Sequence, residues 1–134
     1  MLPAILAAIF AAFTTASAAP LAARATVAHC GQSTGGDIPI SAASEQAKNA
    51  PSQSTGGHSY PHEFKNYEGL PISSACQDAS MMLELPVFAD GHPYDLQNGE
   101  NPGAARVIYS ADNHAVCAIV HHGAHDSDFH MCSQ

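Results

Sequence analysis

The stretch Met81-Met-Leu-Glu-Leu-Pro-Val-Phe88 decides the fold, because its apolar residues repeat at every second position. In an extended chain Leu83, Leu85 and Val87 fall on one side, and Met82, Glu84 and Pro86 on the other. Two β-branched runs follow, Arg106-Val-Ile-Tyr109 and Ala115-Val-Cys-Ala-Ile-Val-His121. The turn signals Asn98-Gly99, Pro102-Gly103 and Asp112-Asn113 bound them. Upstream the period changes. Ile40, Ala43 and Ala47 recur at helical spacing through Ser41-Ala-Ala-Ser-Glu-Gln-Ala-Lys48, and Pro51 ends a helix of about ten residues. No helical pattern separates the strands, which argues against a parallel βαβ sheet. The expected class is α+β, one short helix packed on a twisted antiparallel β-sheet.

A length of 134 residues permits one domain and little more. With 46% apolar residues and only 12% charged, the chain is too apolar to be disordered. Twelve acidic residues stand against four basic ones (Arg24, Lys48, Lys65, Arg106), for a formal charge of −8. That balance excludes general affinity for polyanions, which needs Lys and Arg to displace counterions. One well-placed phosphate site is still allowed. Protonating all nine His would bring −8 to about +1, so the charge is strongly pH-dependent.

Residues 1–18 read as a signal peptide. Met1 to Ala19 carries no charged side chain, Ala4 to Phe13 is unbroken apolar sequence, and Ala16-Ser17-Ala18 supplies the small residues a signal peptidase reads. The run is too short to span a bilayer. Residues 19–29 then form an N-terminal segment, with Pro20 to Arg24 a candidate short pro-segment, and 30–134 the folded domain. The expected location is secreted and extracellular, with no membrane attachment after cleavage. All four Cys (Cys30, Cys76, Cys117, Cys132) lie in that domain, and spacing alone leaves three connectivities open. A zinc site is disfavoured because there is no C-x-x-C pair. Disulfides suit a small exported domain with a limited core.

Glu84 lies in mid-strand, Arg106 opens the next strand and His121 ends the one after. Alternation puts Glu84 and His121 opposite the apolar faces (83, 85, 87 and 116, 118, 120), on the side of the sheet away from the helix. A carboxylate, an imidazole and a guanidinium gathered there suit phosphoryl transfer: one takes a proton, one gives a proton, one stabilises charge on oxygen. A structural Glu–Arg ion pair with an unrelated surface His fits the same spacing.

Five ordered blocks decide between these readings. They are Tyr60-Pro-His-Glu-Phe-Lys-Asn-Tyr-Glu-Gly69, Leu83-Glu-Leu-Pro86, Pro102-Gly-Ala-Ala-Arg-Val107, Val120-His-His-Gly-Ala124, and Phe129 with Cys132. Together they resemble the secreted fungal guanyl-specific ribonucleases, the family of ribonucleases T-one, N-one and U-two. The resemblance implies a disulfide-stapled microbial ribonuclease fold over 30–134, paired Cys30–Cys132 and Cys76–Cys117. It implies that Glu84, with His62 beside it, takes the proton from a ribose 2′-OH, and that His121 protonates the departing 5′-oxygen. Arg106 and Tyr60 would hold phosphate oxygens, and Phe129 would pack against the phosphate site.

For the base, the resemblance implies that Glu68 accepts from guanine N–H groups. Phe64 and Tyr67 would stack on the ring, and the backbone of Lys65 and Asn66 would meet its far edge. The activity implied is cleavage of single-stranded RNA after guanine through a 2′,3′-cyclic phosphate, by a monomer without metal or cofactor. Phe64 stands where Tyr is common, Lys65 where Asn is common, and His122 where many members have Thr.

Three other readings attach to this chain. Ribonuclease-like secreted effectors can keep the scaffold and bind RNA or a host protein without catalysis, but here His62, Glu84, Arg106 and His121 are all retained. Ribotoxins are larger and basic, unlike this chain. His121, His122 and His125 could suggest a metal site, yet no flanking carboxylate pattern completes one.

Overall fold

A computed structural model describes residues 9, 11, 12, 25–57 and 59–134. The signal-peptide reading and the segment to Arg24 therefore lie almost wholly outside the described residues. The elements run β1 (Val27–His29), β2 (Asp37–Pro39), α1 (Ile40–Asn49), β3 (His62–Phe64), β4 (Met82–Pro86), β5 (Ala105–Ser110), β6 (Val116–His122) and β7 (Phe129–Met131). β1 and β2 pair as a small sheet, and β3-β4-β5-β6-β7 form a five-stranded sheet, antiparallel throughout. The α+β expectation holds. The three-residue strands β1, β2, β3 and β7 were not legible in the sequence, because three residues are too few to display a period.

Leu83, Leu85 and Val87 pack with Val107, Tyr109 and Ile119 against Ala43 and Ala47 of α1. Two alanines on the buried helical stripe let the helix axis lie close to the sheet. The C-terminal end of α1 and the residues just after it are tied to the β5–β6 hairpin. His114 Nδ1–H donates to Ala47 O at 2.7 Å, and the buried Tyr109 hydroxyl donates to Pro51 O at 2.8 Å. Gly35 lets the β1–β2 turn press onto β5: at its φ of 121° an added Cβ would meet the Ala105 methyl at 2.6 Å.

A second apolar cluster, Phe64, Ile108, Ala118 and Val120 with Cys76 and Cys117, fills the opposite face of the sheet. The disulfides are Cys30–Cys132 and Cys76–Cys117, as the resemblance implied.

One strand departs from simple alternation. Ile108 pairs with Ala118 and Tyr109 with Val116, so Cys117 is an extra residue in β6, a bulge. Val116 packs toward the helix, whereas Ala118 and Val120 belong to the opposite cluster. The expectation that 116, 118 and 120 share a face is thereby corrected. A one-residue insertion moves every side chain beyond it to the other face.

The loop 87–104 returns from β4 to β5 and is clasped by His92. Its Nδ1 lies 2.5 Å from Asp90 and its Nε2 3.0 Å from Glu100. Ionised carboxylates only accept, so both contacts are satisfied together when the imidazole is protonated. The Glu100 and Asp90 carboxylates raise the His92 pKa above 6.5, and the bonds from His92 hold Asp90 below the ordinary carboxylate value. A raised His stabilises the folded chain below its unfolded pKa and loses that contribution as pH rises through the folded one. A depressed Asp contributes above its unfolded pKa and loses that as pH falls. Urea unfolding should therefore show His92→Ala less stable than the parent at pH 5.5, with the difference gone by pH 9. An equal difference at both values would mean the clasp acts without its charge.

Candidate active site

β3, β4 and β5 bring three of the expected side chains together, and Tyr60, just before β3, joins them. His62 pairs across from Glu84, and Glu84 from Ile108, with Pro86 opposite Arg106, so His62, Glu84 and Arg106 share a face. His62 Nδ1 lies 3.4 Å from Glu84 Oε1, and Arg106 Nε 3.6 Å from Glu84 Oε2. Both nitrogens thus face the carboxylate without closing tight hydrogen bonds on it. His62 Nε2, Glu84 Oε2 and Arg106 Nε are buried without a hydrogen-bond partner among the described residues. Such unpaired groups are costly in a purely structural ion pair.

The Arg106 guanidinium is fixed from behind. Its Nη1 donates to the carbonyls of Pro102, Gly103 and Ala105 at 3.1, 2.9 and 2.9 Å, and its Nη2 to the Tyr60 hydroxyl at 2.8 Å. Tyr60 stacks on the His62 ring at 4.1 Å. Burial raises the Glu84 pKa above its ordinary value, an effect that the neighbouring Arg106, His62 and His122 charges oppose. Burial likewise raises the Tyr60 hydroxyl. A carboxylate lifted in this way is a better proton acceptor than a solvated one.

The bulge at Cys117 decides which histidine of the pair joins them. His121 pairs with Ala105 and His130, on the same side of the strand as Ile119. It stacks beside His130 and donates from Nδ1 to His122 O at 2.9 Å. His122 pairs with Phe129, on the face that carries Arg106, Ile108 and Glu84. The expected placement of His121 opposite the helix is corrected: His122 occupies that side. Its Nδ1 donates to Ser127 O at 2.8 Å. Nothing in the sequence announced the bulge, and His122 was read as a replacement for Thr and as part of a disfavoured metal cluster, not as a site residue. The pair's opposite orientations also separate His121 from His122 as joint metal ligands. Among the described residues, no three His, Cys, Asp or Glu side chains gather as a metal site.

Next to Glu84 lies a cavity of about 300 Å³, lined by Glu63, Phe64, Lys65, Asn66, Tyr67, Glu68, Ser127 and Phe129. All five residues expected to meet the base are among them. Asn66 shapes the loop. It takes a φ of 52°, and its side-chain amide both accepts from and donates to the Leu70 backbone, at 2.8 and 2.9 Å. Tyr67 is 85% exposed, a flat ring standing at the cavity with little packed against it. Glu68 Oε1 accepts from Phe129 N–H at 3.1 Å, and Phe129 packs edge-on against Phe64 and stacks on His122 at 4.2 Å. A larger groove of about 550 Å³, lined by Ala42, Leu85, Pro93, Tyr94 and Leu96 among others, contains none of His62, Glu84 or Arg106.

A family model described as ribonuclease matches residues 23–133. Guanyl-specific ribonuclease U1 of Ustilago sphaerogena is 33% identical over 106 residues, covering 78% of this chain and 93% of that protein. Guanyl-specific ribonuclease Pc of Penicillium chrysogenum is 33% identical over 110 residues, covering 81% and 99%. The match to guanyl-specific ribonuclease T1 of Aspergillus oryzae, 35% identical, spans 57% of that protein. Among solved structures, a deletion mutant of the cytotoxic ribonuclease alpha-sarcin superposes with a TM-score of 0.63 at 29% identity, covering 82% of this chain and all of that one. The Aspergillus ribotoxin restrictocin, in complex with a 29-mer sarcin/ricin domain RNA analogue, superposes with a TM-score of 0.61 at 31% identity, covering 73% and 85%.

Proposed function

Because the chain belongs to the ribonuclease family, we propose that it is a secreted endoribonuclease that cleaves single-stranded RNA 3′ to guanine. The observation that carries this reading is the Glu84 carboxylate, buried between His62 and Arg106 and opening on a cavity lined by Phe64, Tyr67 and Glu68. Glu84 takes the proton from the ribose 2′-OH. The freed oxygen attacks the adjacent phosphorus, and the bond from phosphorus to the 5′-oxygen breaks. His122 Nε2 gives that oxygen its proton. Arg106 and the Tyr60 hydroxyl stabilise the non-bridging oxygens in the transition state. The products are a 2′,3′-cyclic phosphate and a free 5′-hydroxyl, and slow hydrolysis of the cyclic ester reverses the proton roles. Activity requires ionised Glu84 with protonated His122, so the pH profile is bell-shaped.

Guanine is the base proposed for the cavity. Its N1–H and exocyclic amine both donate toward a carboxylate, which Glu68 supplies, and each aromatic stack contributes about 1–3 kcal/mol. Local recognition of one base and one phosphate is how a chain of formal charge −8 would engage RNA. Two disulfides suit an oxidising compartment, which supports secretion.

Cleavage of GpC, ApC and UpC in the presence of EDTA tests this. Guanosine 2′,3′-cyclic phosphate should form from GpC, with Glu84→Gln slower by about 10²- to 10⁴-fold. Comparable ApC turnover would widen the specificity to purines. Intact dinucleotides and intact long RNA, with both disulfides formed, would favour a binding protein on the same scaffold.

A further inference from the structure

We infer that Phe129 is a positioning residue that couples the base cavity to His122, so that a purine held by Glu68 resets the proton donor. The inference rests on the reading of the cavity given above. Two groups hold His122: the Ser127 carbonyl at Nδ1 and the Phe129 ring against its face. Both residues also line the base cavity. The tie extends one bond further, because the Phe129 N–H is donated to Glu68 Oε1, on the carboxylate that meets the base. Phe129 is therefore gripped by its backbone from the recognition side and by its ring from the catalytic side.

A purine offering two N–H donors to Glu68 competes with the Phe129 N–H for Oε1. Glu68 then either releases Phe129 or shares the oxygen at a longer distance. In both cases the backbone of Phe129 shifts, and with it the ring on which His122 rests. Phe64, which meets Phe129 edge-on and lines the same cavity, limits the direction of that movement. The identity of the base is then read in kcat as well as in KM. A residue that merely filled space would affect binding and stability without making the donor respond to the base.

Guanosine is the probe, because it carries no phosphate and so cannot reach the donor by that route. NMR of the histidine imidazoles should show the His122 signals moving as guanosine saturates the full-length protein. In Phe129→Leu that movement should be lost while guanosine still binds, and kcat on GpC should fall about tenfold with little change in KM. Phe129→Tyr keeps the stack and should retain the response. Three results would overturn the inference. If guanosine binds the parent and leaves His122 unmoved, the coupling is absent and the base cavity stands. If the movement persists in Phe129→Leu, it travels by another route. If guanosine does not bind at all, the reading of the cavity fails and the inference goes with it.

Discussion

His122→Gln is expected to lower kcat/KM on GpC by about 10²- to 10⁴-fold, the usual worth of a positioned general acid, while His121→Gln changes it by less than about threefold. The contrast follows from the bulge. Cys117 is the unpaired residue of β6, so the strand beyond it presents even-numbered side chains to the face of Glu84 and Arg106. His122 has its Nδ1 committed to the Ser127 carbonyl and its ring laid on Phe129, on the side of the sheet that carries Glu84. The His121 ring lies beside His130 instead, with Nδ1 bonded to the His122 carbonyl. Dinucleotide kinetics on the two single variants, with circular dichroism to verify folding, decide the matter. The reverse pattern would mean that the strand slips by one residue when substrate binds, and the assignment of the acid would pass to His121.

Opening the Cys30–Cys132 bridge should cost the fold more than any surface change. The bridge closes a separation of 102 residues, for which the chain-entropy relation gives about 4–5 kcal/mol as an upper figure. Native small domains hold only about 5–15 kcal/mol in total. The Cys30→Ser, Cys132→Ser variant is therefore expected to lie close to its unfolding midpoint in dilute buffer. Cys76–Cys117 closes 41 residues, and its loss should cost roughly 1 kcal/mol less by the same relation.

The terminal bridge has a local role as well. It ties β1 to the segment after β7, where the His29 and Ser133 backbones exchange hydrogen bonds at 2.7 and 3.0 Å. β7 carries Phe129, so loosening it disturbs the stack on His122 before the chain unfolds. Urea unfolding under non-reducing conditions measures the first effect, and residual GpC cleavage the second. A loss below about 1 kcal/mol would assign the termini's stability to the backbone ladder rather than to the covalent closure.

The sequence by itself determined the helix from Ile40, the three long strands and the apolar face of β4, because in each case enough residues repeat to reveal a period. It also carried the residue types of the site: Tyr60, His62, Glu84 and Arg106 converge in the fold as their blocks suggested, and the five residues expected at the base line one cavity. Tertiary structure alone decided three further matters. The short strands β1, β2, β3 and β7 exist through pairing with neighbours rather than through any pattern of their own. Two of the three carbonyls that hold Arg106 come from the loop 87–104, whose course the clasp at His92 helps to set. The choice between His121 and His122 turns on one extra residue at Cys117, where the second disulfide is anchored. Side-chain alternation is a property of each strand, but its phase is set by pairing across the sheet. A bulge shifts that phase by one residue and leaves no mark in the local sequence.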